Sequence, residues 1–140
     1  MTTDTRDARD TRLRLLDAAS ELFHSRSYHA VGVKDICDHA DVKRGSFYYF
    51  YPSKEALAIA VIERHWAVVV HDVLEPTLES DGPALERVLG FMTALHGWAE
   101  RVIGSKRPIP GCPFANFAVE LATQEEPIRM IIAGAFDRIT

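Results

Sequence analysis

Residues 32–54 read GVKDICDHADVKRGSFYYFYPSK, and this run decides the fold. Val33, Ile36, Cys37 and Ala40 recur at helical spacing and give a first short helix one apolar face. Ala40-Asp41-Val42 supplies a turn, since Asp tolerates the left-handed backbone such turns need. From about Lys43 to Phe50 a second helix buries Phe47 and Phe50 and points Arg44, Ser46, Tyr48 and Tyr49 elsewhere. Pro52 ends it, because the residue before a proline is pushed out of the helical region. Ser53 is placed to cap a third helix, with Glu55 in its first turn. Two short helices at a steep angle, the second offering cations, form a helix-turn-helix over residues 32–51.

Toward the start of the chain, the first helix is expected over about Asp10 to Ser25. Leu13, Leu16, Ala19, Leu22 and Phe23 line one face with Leu15 beside it. Met1 to Asp10 reads as a frayed polar arm, with Arg6, Arg9 and Arg12 in a solvated tail. Beyond the motif, a long helix runs from Ser53 to about Glu75 and buries Leu57, Val61, Ile62, Trp66, Val69, Val70 and Val73, until Pro76 and Ser80-Asp81-Gly82-Pro83 break it. Leu85, Val88, Leu89, Met92, Leu95, Ala99 and Val102 then give a 3–4 spacing, thickened by Phe91 and Trp98. Residues 104–111, GSKRPIPG, read as a loop, and Cys112-Pro113 opens a helix with Phe114, Phe117, Ala118 and Leu121 inward. Pro127 starts the last helix, where Ile128, Ile131, Ile132, Ala135, Phe136 and Ile139 recur. No stretch alternates as a strand does, and no repeat is present. The expected fold is all-α: an N-terminal three-helix, helix-turn-helix domain over residues 9–69, packed on a helical region over 70–140.

Gly45-Ser46-Phe47-Tyr48-Tyr49-Phe50-Tyr51-Pro52-Ser53-Lys54-Glu55-Ala56-Leu57 resembles the recognition helix and following helix start of TetR-type repressors, and LRLLDAASELF matches that family's first helix. The resemblance covers about the first 65 residues. Three positions depart from the family pattern: Ser27 replaces a helix-ending glycine, Gly32 a capping Ser or Thr, and Asp41 the turn glycine. Gly32 lacks the hydroxyl that in the family often touches a phosphate. The resemblance implies that Arg44 and Gly45 read base edges, while Lys43, Ser46, Tyr48, Tyr49 and Lys54 meet the DNA backbone. Arg44 offers a bidentate fork to guanine, and the tyrosine hydroxyls suit phosphate contacts. It further implies a homodimer on a near-palindromic double-stranded operator, released by a small-molecule inducer. Family members use the second region as inducer pocket and continue into further helices that form the dimer. The apolar run of residues 128–140 therefore implies either a truncated chain or a different dimer.

Composition sets the bounds. The net charge is −4, which argues against indiscriminate coating of nucleic acid. Residues 1–57 carry nine Lys/Arg and nine Asp/Glu, and residues 58–140 carry seven and eleven, so the acidity lies in the second part. Between Val42 and Lys54 there are three cations and no acid, a local field that favours phosphate. No apolar run is long enough to span a membrane, the N-terminus is no signal peptide, and two unpaired cysteines suit a reducing cytoplasm.

Other chemistries find little support. The six histidines form no i, i+4 pair and have no partner cysteine at zinc spacing, so no metal or other cofactor is expected. No phosphate-cradling glycine loop or nucleophile elbow occurs. A cysteine-dependent enzyme would need Cys112 and His96 together, which nothing in the sequence arranges, so no enzyme is expected. The other rival, a helical ligand- or partner-binding protein that has lost DNA binding, is opposed by intact Lys43, Arg44, Tyr48, Tyr49 and Lys54.

For the second region the residues alone favour an ordinary core, and the resemblance favours a pocket for a small apolar or electrophilic molecule. Its candidate lining is Phe91, Met92, Leu95, Trp98, Cys112, Phe114 and Phe117. The GCPF opening with the following NFAVEL is similar to family branches that include electrophile-responsive repressors. Cys112 stands at an expected helix N-terminus, where amide donors favour a thiolate, although a buried, inert cysteine is the plainer reading. Cys37, on an inward face, is expected to react slowly.

Overall fold

The computed structural model describes residues 2–104, 113–121 and 125–138, with the side chains of residues 2–6, 99, 102–104, 113 and 114 outside that description. Among the described residues every regular element is helical: α1 (Thr2–Ser25), α2 (Val33–Ala40), α3 (Arg44–Phe50), α4 (Lys54–Val69), a π-helical turn (Val70–Leu74), α5 (Glu75–Thr77), α6 (Ala84–Gly104), α7 (Pro113–Leu121) and α8 (Glu126–Asp137). The chain divides into two compact units, Met1–Glu63 with Cys112–Thr140, and Arg64–Gly111.

In the first unit α1 packs on α2, and α2 on α3. The buried face of α1 is Leu15, Ala18, Ala19, Leu22 and Phe23. This corrects the expected stripe by a rotation: Leu13 is 45% exposed and Leu16 half-buried. Helix α1 also begins at Thr2 rather than near Asp10, so the expected arm is helical. Ile36, Cys37 and Ala40 of α2, Phe47 of α3, and Leu57, Ala58, Val61 and Ile62 of α4 complete the buried set with Val31. Phe50 is only half-buried, and Tyr51 takes the expected inward place, 4% exposed. The cause is local. Tyr51 precedes Pro52 and is extended (φ −134°, ψ 114°), which redirects its side chain from the line the helix would have given it. Its ring lies 6.3 Å from that of Phe47. Helices α7 and α8 pack together in the same unit and bury Phe117, Leu121, Ile128, Ile132 and Ala135, whereas Phe136, expected inward, is exposed.

In the second unit the helix does not stop at Pro76. A proline lacks the N–H and crowds the carbonyl four residues back. The chain answers by widening: the Glu75 amide bonds the Val70 carbonyl and the Glu79 amide the Leu74 carbonyl (3.0 Å), each five residues back. The helix thus survives to Thr77. Helix α6 packs on α5 and the π turn through a narrow face, where a side chain at Gly90 would meet Thr77 and the Arg87 guanidinium reaches the Leu78 carbonyl. Its larger apolar residues, expected as core, are exposed instead: Leu85, Val88, Leu89 and Met92. The expected loop over 104–111 falls at 105–111 outside the described residues, as does Ile139.

Phe47 is fully buried and Tyr49 is 82% exposed on the same short helix. Phe47→Ala should therefore lower unfolding stability by about 3–5 kcal/mol, while Tyr49→Ala stays within about 0.5 kcal/mol. Urea denaturation of both variants checks the pair; equal losses would show that the buried face has been misassigned.

Candidate nucleic-acid interface

The interface begins with how α3 is presented. Helix α2 ends at Asp41 in the left-handed conformation (φ 51°). The Val42 amide bonds the Cys37 carbonyl at 2.9 Å and the Asp41 amide the Asp38 carbonyl at 3.3 Å, the paired closure of a Schellman turn. Arg14 of α1 donates to the carbonyls of Ala40 and Asp41, both at 2.6 Å, so the turn is tied to α1. At the other end of α2 the Asp35 carboxylate accepts the Gly32 amide at 2.8 Å, which supplies half of a capping box. Ser53 caps α4 by accepting the Ala56 amide at 3.0 Å.

Held in this way, α3 turns Lys43, Arg44, Gly45, Tyr48 and Tyr49 to solvent, with Ser46 half-buried. Among the described residues the side chains of Lys43 and Arg44 make no hydrogen bond or ion pair, while the Lys43 carbonyl accepts the Ser46 and Phe47 amides at the start of the helix. A Cβ at Gly45 would meet nothing within 4 Å, so the helix surface there is open. Asp7, Ala8 and Thr11 of α1 and Gly45, Ser46, Tyr49 and Phe50 of α3 line an open cleft of about 580 Å³. Five of the seven expected DNA contacts thus stand exposed on one short helix and the residue before it. Burial pushes the Cys37 thiol upward while the nearby Arg44 guanidinium pulls the other way.

Lys54 is placed differently. Its ammonium donates to the carbonyls of Tyr28 and Val31, both at 3.0 Å, and lies 4.1 Å from the Tyr28 ring centre. Burial lowers its pKa, opposed by Glu120 and Glu125. Tyr28 is 5% exposed, and its hydroxyl is pushed up to about 12, chiefly by burial and then by Glu125, Glu55 and Glu120. Two of the three N–H bonds of Lys54 therefore serve the α1–α2 loop.

The expected ligand set falls in several places. Phe91, Met92, Leu95 and Trp98 share α6 in the second unit, with Phe91 half-buried and the other three exposed. Phe117 belongs to the first unit, buried 5.8 Å from the ring of Phe23. Cys112 lies outside the described residues, as does the Phe114 side chain. Sequence reasoning missed Arg14, whose role is visible only when Ala40 and Asp41 are brought beside it, and Glu120, which accepts the Tyr28 and His29 amides. Among the described residues no three His, Cys, Asp or Glu side chains are grouped to hold a metal ion, and no helix is long and apolar enough to cross a membrane.

Residues 15–61 match the bacterial regulatory proteins, tetR family. The chain is 28% identical over 128 residues to an uncharacterised HTH-type transcriptional regulator of Lactococcus lactis subsp. lactis, covering 91% of this chain and 63% of the relative. It is 28% identical over 121 residues to the HTH-type transcriptional repressor NemR of Escherichia coli K12, covering 86% and 58%. A solved structure described as a TetR/AcrR-family transcriptional regulator superposes with a TM-score of 0.70 at 22% identity, covering 91% of this chain and 64% of that one. The chain thus spans between 58% and 64% of the length of these three. With the motif, its caps and the outward face of α3 all in place, residues 15–61 of this chain belong to the tetR family of bacterial regulatory proteins.

Proposed function

We propose that the protein is a ligand-responsive transcriptional repressor that binds a near-palindromic DNA operator as a homodimer. The observation that carries this is the outward face of α3, where Lys43, Arg44, Gly45, Tyr48 and Tyr49 are exposed around a helix held by buried Phe47. In this reading Arg44 and Gly45 meet base edges, and Lys43, Ser46, Tyr48, Tyr49 and Lys54 meet phosphates. The relatives compared above are transcriptional regulators rather than enzymes, and NemR is named a repressor. A regulator of this kind works where the chromosome lies, in the cytoplasm.

Residues 9–69 form the DNA-binding domain in this proposal, and residues 70–140 the ligand-binding and dimerisation region. The exposed apolar face of α6 supports an interaction role for that region, since large uncovered apolar surface marks contact with a partner or ligand. Phe91, Met92, Leu95 and Trp98 on α6 are the residues proposed to meet a small apolar or electrophilic inducer. Induction is a population shift: the ligand favours a geometry in which two recognition helices no longer match successive major grooves. A gel shift with DNA from upstream of its own gene tests the reading, and absence of any shift overturns it.

Three outcomes follow for the DNA contacts. Arg44→Ala should weaken operator binding by about 1–3 kcal/mol and relax specificity at one base pair in each half-site. Lys43→Ala should weaken all sequences alike and flatten the salt dependence without lowering the melting temperature. Lys54→Ala should do the same and also lower the melting temperature, because its ammonium holds two loop carbonyls. Footprinting, salt titration and thermal melts separate these, and a changed sequence preference in the Lys54 variant would show that its role is misassigned.

Assembly gives a further test. One short helix offers too few contacts for tight solitary binding, so two copies should occupy half-sites about 34–36 Å apart. Sedimentation should show a dimer on the operator. Tight operator binding by a monomer would defeat the proposal.

A further inference from the structure

The α1–α2 loop, residues 26–32, shows an unusual division of its backbone partners. The Arg26 amide bonds the Leu22 carbonyl, the Ala30 amide reaches Ser27, the Val31 amide the Tyr28 carbonyl and the Gly32 amide Asp35. The amides of Tyr28 and His29 are satisfied from elsewhere. They donate to the two carboxylate oxygens of Glu120 on α7, at 2.9 and 2.8 Å. Without α7 those two donors would have no protein acceptor in the loop's own helices: the part-buried Tyr28 amide would lose its partner at a cost, and the exposed His29 amide would turn to water.

The carbonyl side of the same loop faces the DNA-contact helices. The Tyr28 and Val31 carbonyls hold the Lys54 ammonium, and the Tyr28 ring lies beneath it. Tyr28 packs on Phe23 (5.3 Å between ring centres), and Phe23 on Phe117 of α7 (5.8 Å). Phe117 and Glu120 stand three residues apart, on one face of α7. The aromatic contact fixes how deep the loop sits, and the carboxylate fixes its direction.

We infer that Glu120 is a positioning residue for DNA binding: through the Tyr28 and His29 amides it seats the loop that orients Lys54, so that α7 and the DNA-contact end of α4 move as one. Any displacement of α7 then reaches Lys54 through two hydrogen-bonded steps. This rests on the DNA-binding reading above, since Lys54 must meet phosphate for its seating to matter. It also reverses a simple electrostatic expectation. Removing a carboxylate near a DNA-binding surface should tighten binding to a polyanion; removing this one should loosen it.

The test uses the full chain and a fluorescently labelled duplex of mixed sequence at low salt, read by anisotropy, because a phosphate contact needs no particular operator. Glu120→Ala should weaken binding about fivefold or more, and Glu120→Gln, which keeps one acceptor oxygen, should fall between that variant and the wild type. In a Lys54→Ala background the Glu120→Ala change should alter affinity less than about twofold, since residues acting through one another are non-additive. Hydrogen exchange should quicken at the amides of Tyr28 and His29 in the free Glu120 variants. Unchanged or tighter binding by Glu120→Ala overturns the inference, and so does an equal loss in both Lys54 backgrounds. If Glu120→Ala does not fold, Glu120→Gln decides alone: weaker binding that vanishes in the Lys54→Ala background supports it, and unchanged or tighter binding overturns it. A wild-type chain that binds no duplex sinks the DNA-binding reading and this inference with it, whereas wild-type binding beside an inert Glu120 substitution sinks the inference only.

Discussion

A helix of seven residues cannot hold its own shape in water, because nucleation costs more than one or two turns return. Helix α3 therefore exists only by virtue of what it buries. Phe47 is fully enclosed, and the extended Tyr51 adds a second buried ring where the helix ends. Everything the face of α3 offers to solvent depends on that one inward anchor. The helix is too short to have both a wide apolar side and a wide exposed one, so a single phenylalanine does most of the holding. The Schellman turn before it and Pro52 after it fix its length, which leaves rotation about its axis as the remaining freedom. Phe47 removes that freedom.

The second dependence runs through the α1–α2 loop. In the sequence this stretch looks like a plain connector, yet its amides and carbonyls face opposite ways. Carbonyls hold Lys54 and amides are held by Glu120. Ser27, standing where the family often has glycine, accepts the Ala30 amide with its hydroxyl at 3.2 Å, so the departure from pattern brings a bond of its own. Gly32 is compensated in a similar way, since Asp35 binds its amide from inside α2. Losing a capping hydroxyl therefore leaves the start of α2 only partly uncapped.

What could be read from the sequence was whatever local chemistry decides. The left-handed turn at Asp41, the extended residue before Pro52, the Ser53 cap and the burial of Ile36, Cys37, Ala40 and Phe47 all follow from spacing and backbone preference, and all are present. The errors arose where a rule about one element met its neighbours. Phe50 lost its inward place to Tyr51 because the pre-proline backbone redirects the chain. Leu13 was placed inward by periodicity, although Leu15 and Ala18 fit the same spacing a small rotation away. Pro76 was read as a stop, but a π turn of one extra residue per hydrogen bond absorbs a proline without ending the helix. On α6 periodicity points to the larger apolar face, whereas Gly90 lets α5 approach the narrow side. Glu120 was invisible for a different reason: it lies over ninety residues from the amides it holds, and no local pattern marks such a pairing. The DNA contacts proposed on α3 came from resemblance, and local physics adds only that these side chains point outward.

Charge shows why a protein with net charge −4 offers a cationic surface. Of the acids in the first half, Asp7 lines the cleft beside α3, and four others are set against partners of their own. Asp35 binds the Gly32 amide, Asp38 pairs with Lys34 at 2.6 Å, Glu21 meets His39 at 2.9 Å, and Asp41 stands 3.6 Å from Arg14. Exposed pairs such as these contribute little to stability, but each sets an acid against a cation, an imidazole or an amide on or beside α1 or α2. Lys43 and Arg44 have no such partner among the described residues, and no acid occurs between Val42 and Lys54. The field at the surface of α3 is set within about one Debye length, 8–10 Å in physiological salt. From the second half, Glu120 and Glu125 come close enough to act on Lys54, so the charge at this surface is set by local placement and the whole-chain sum is a poor guide to it.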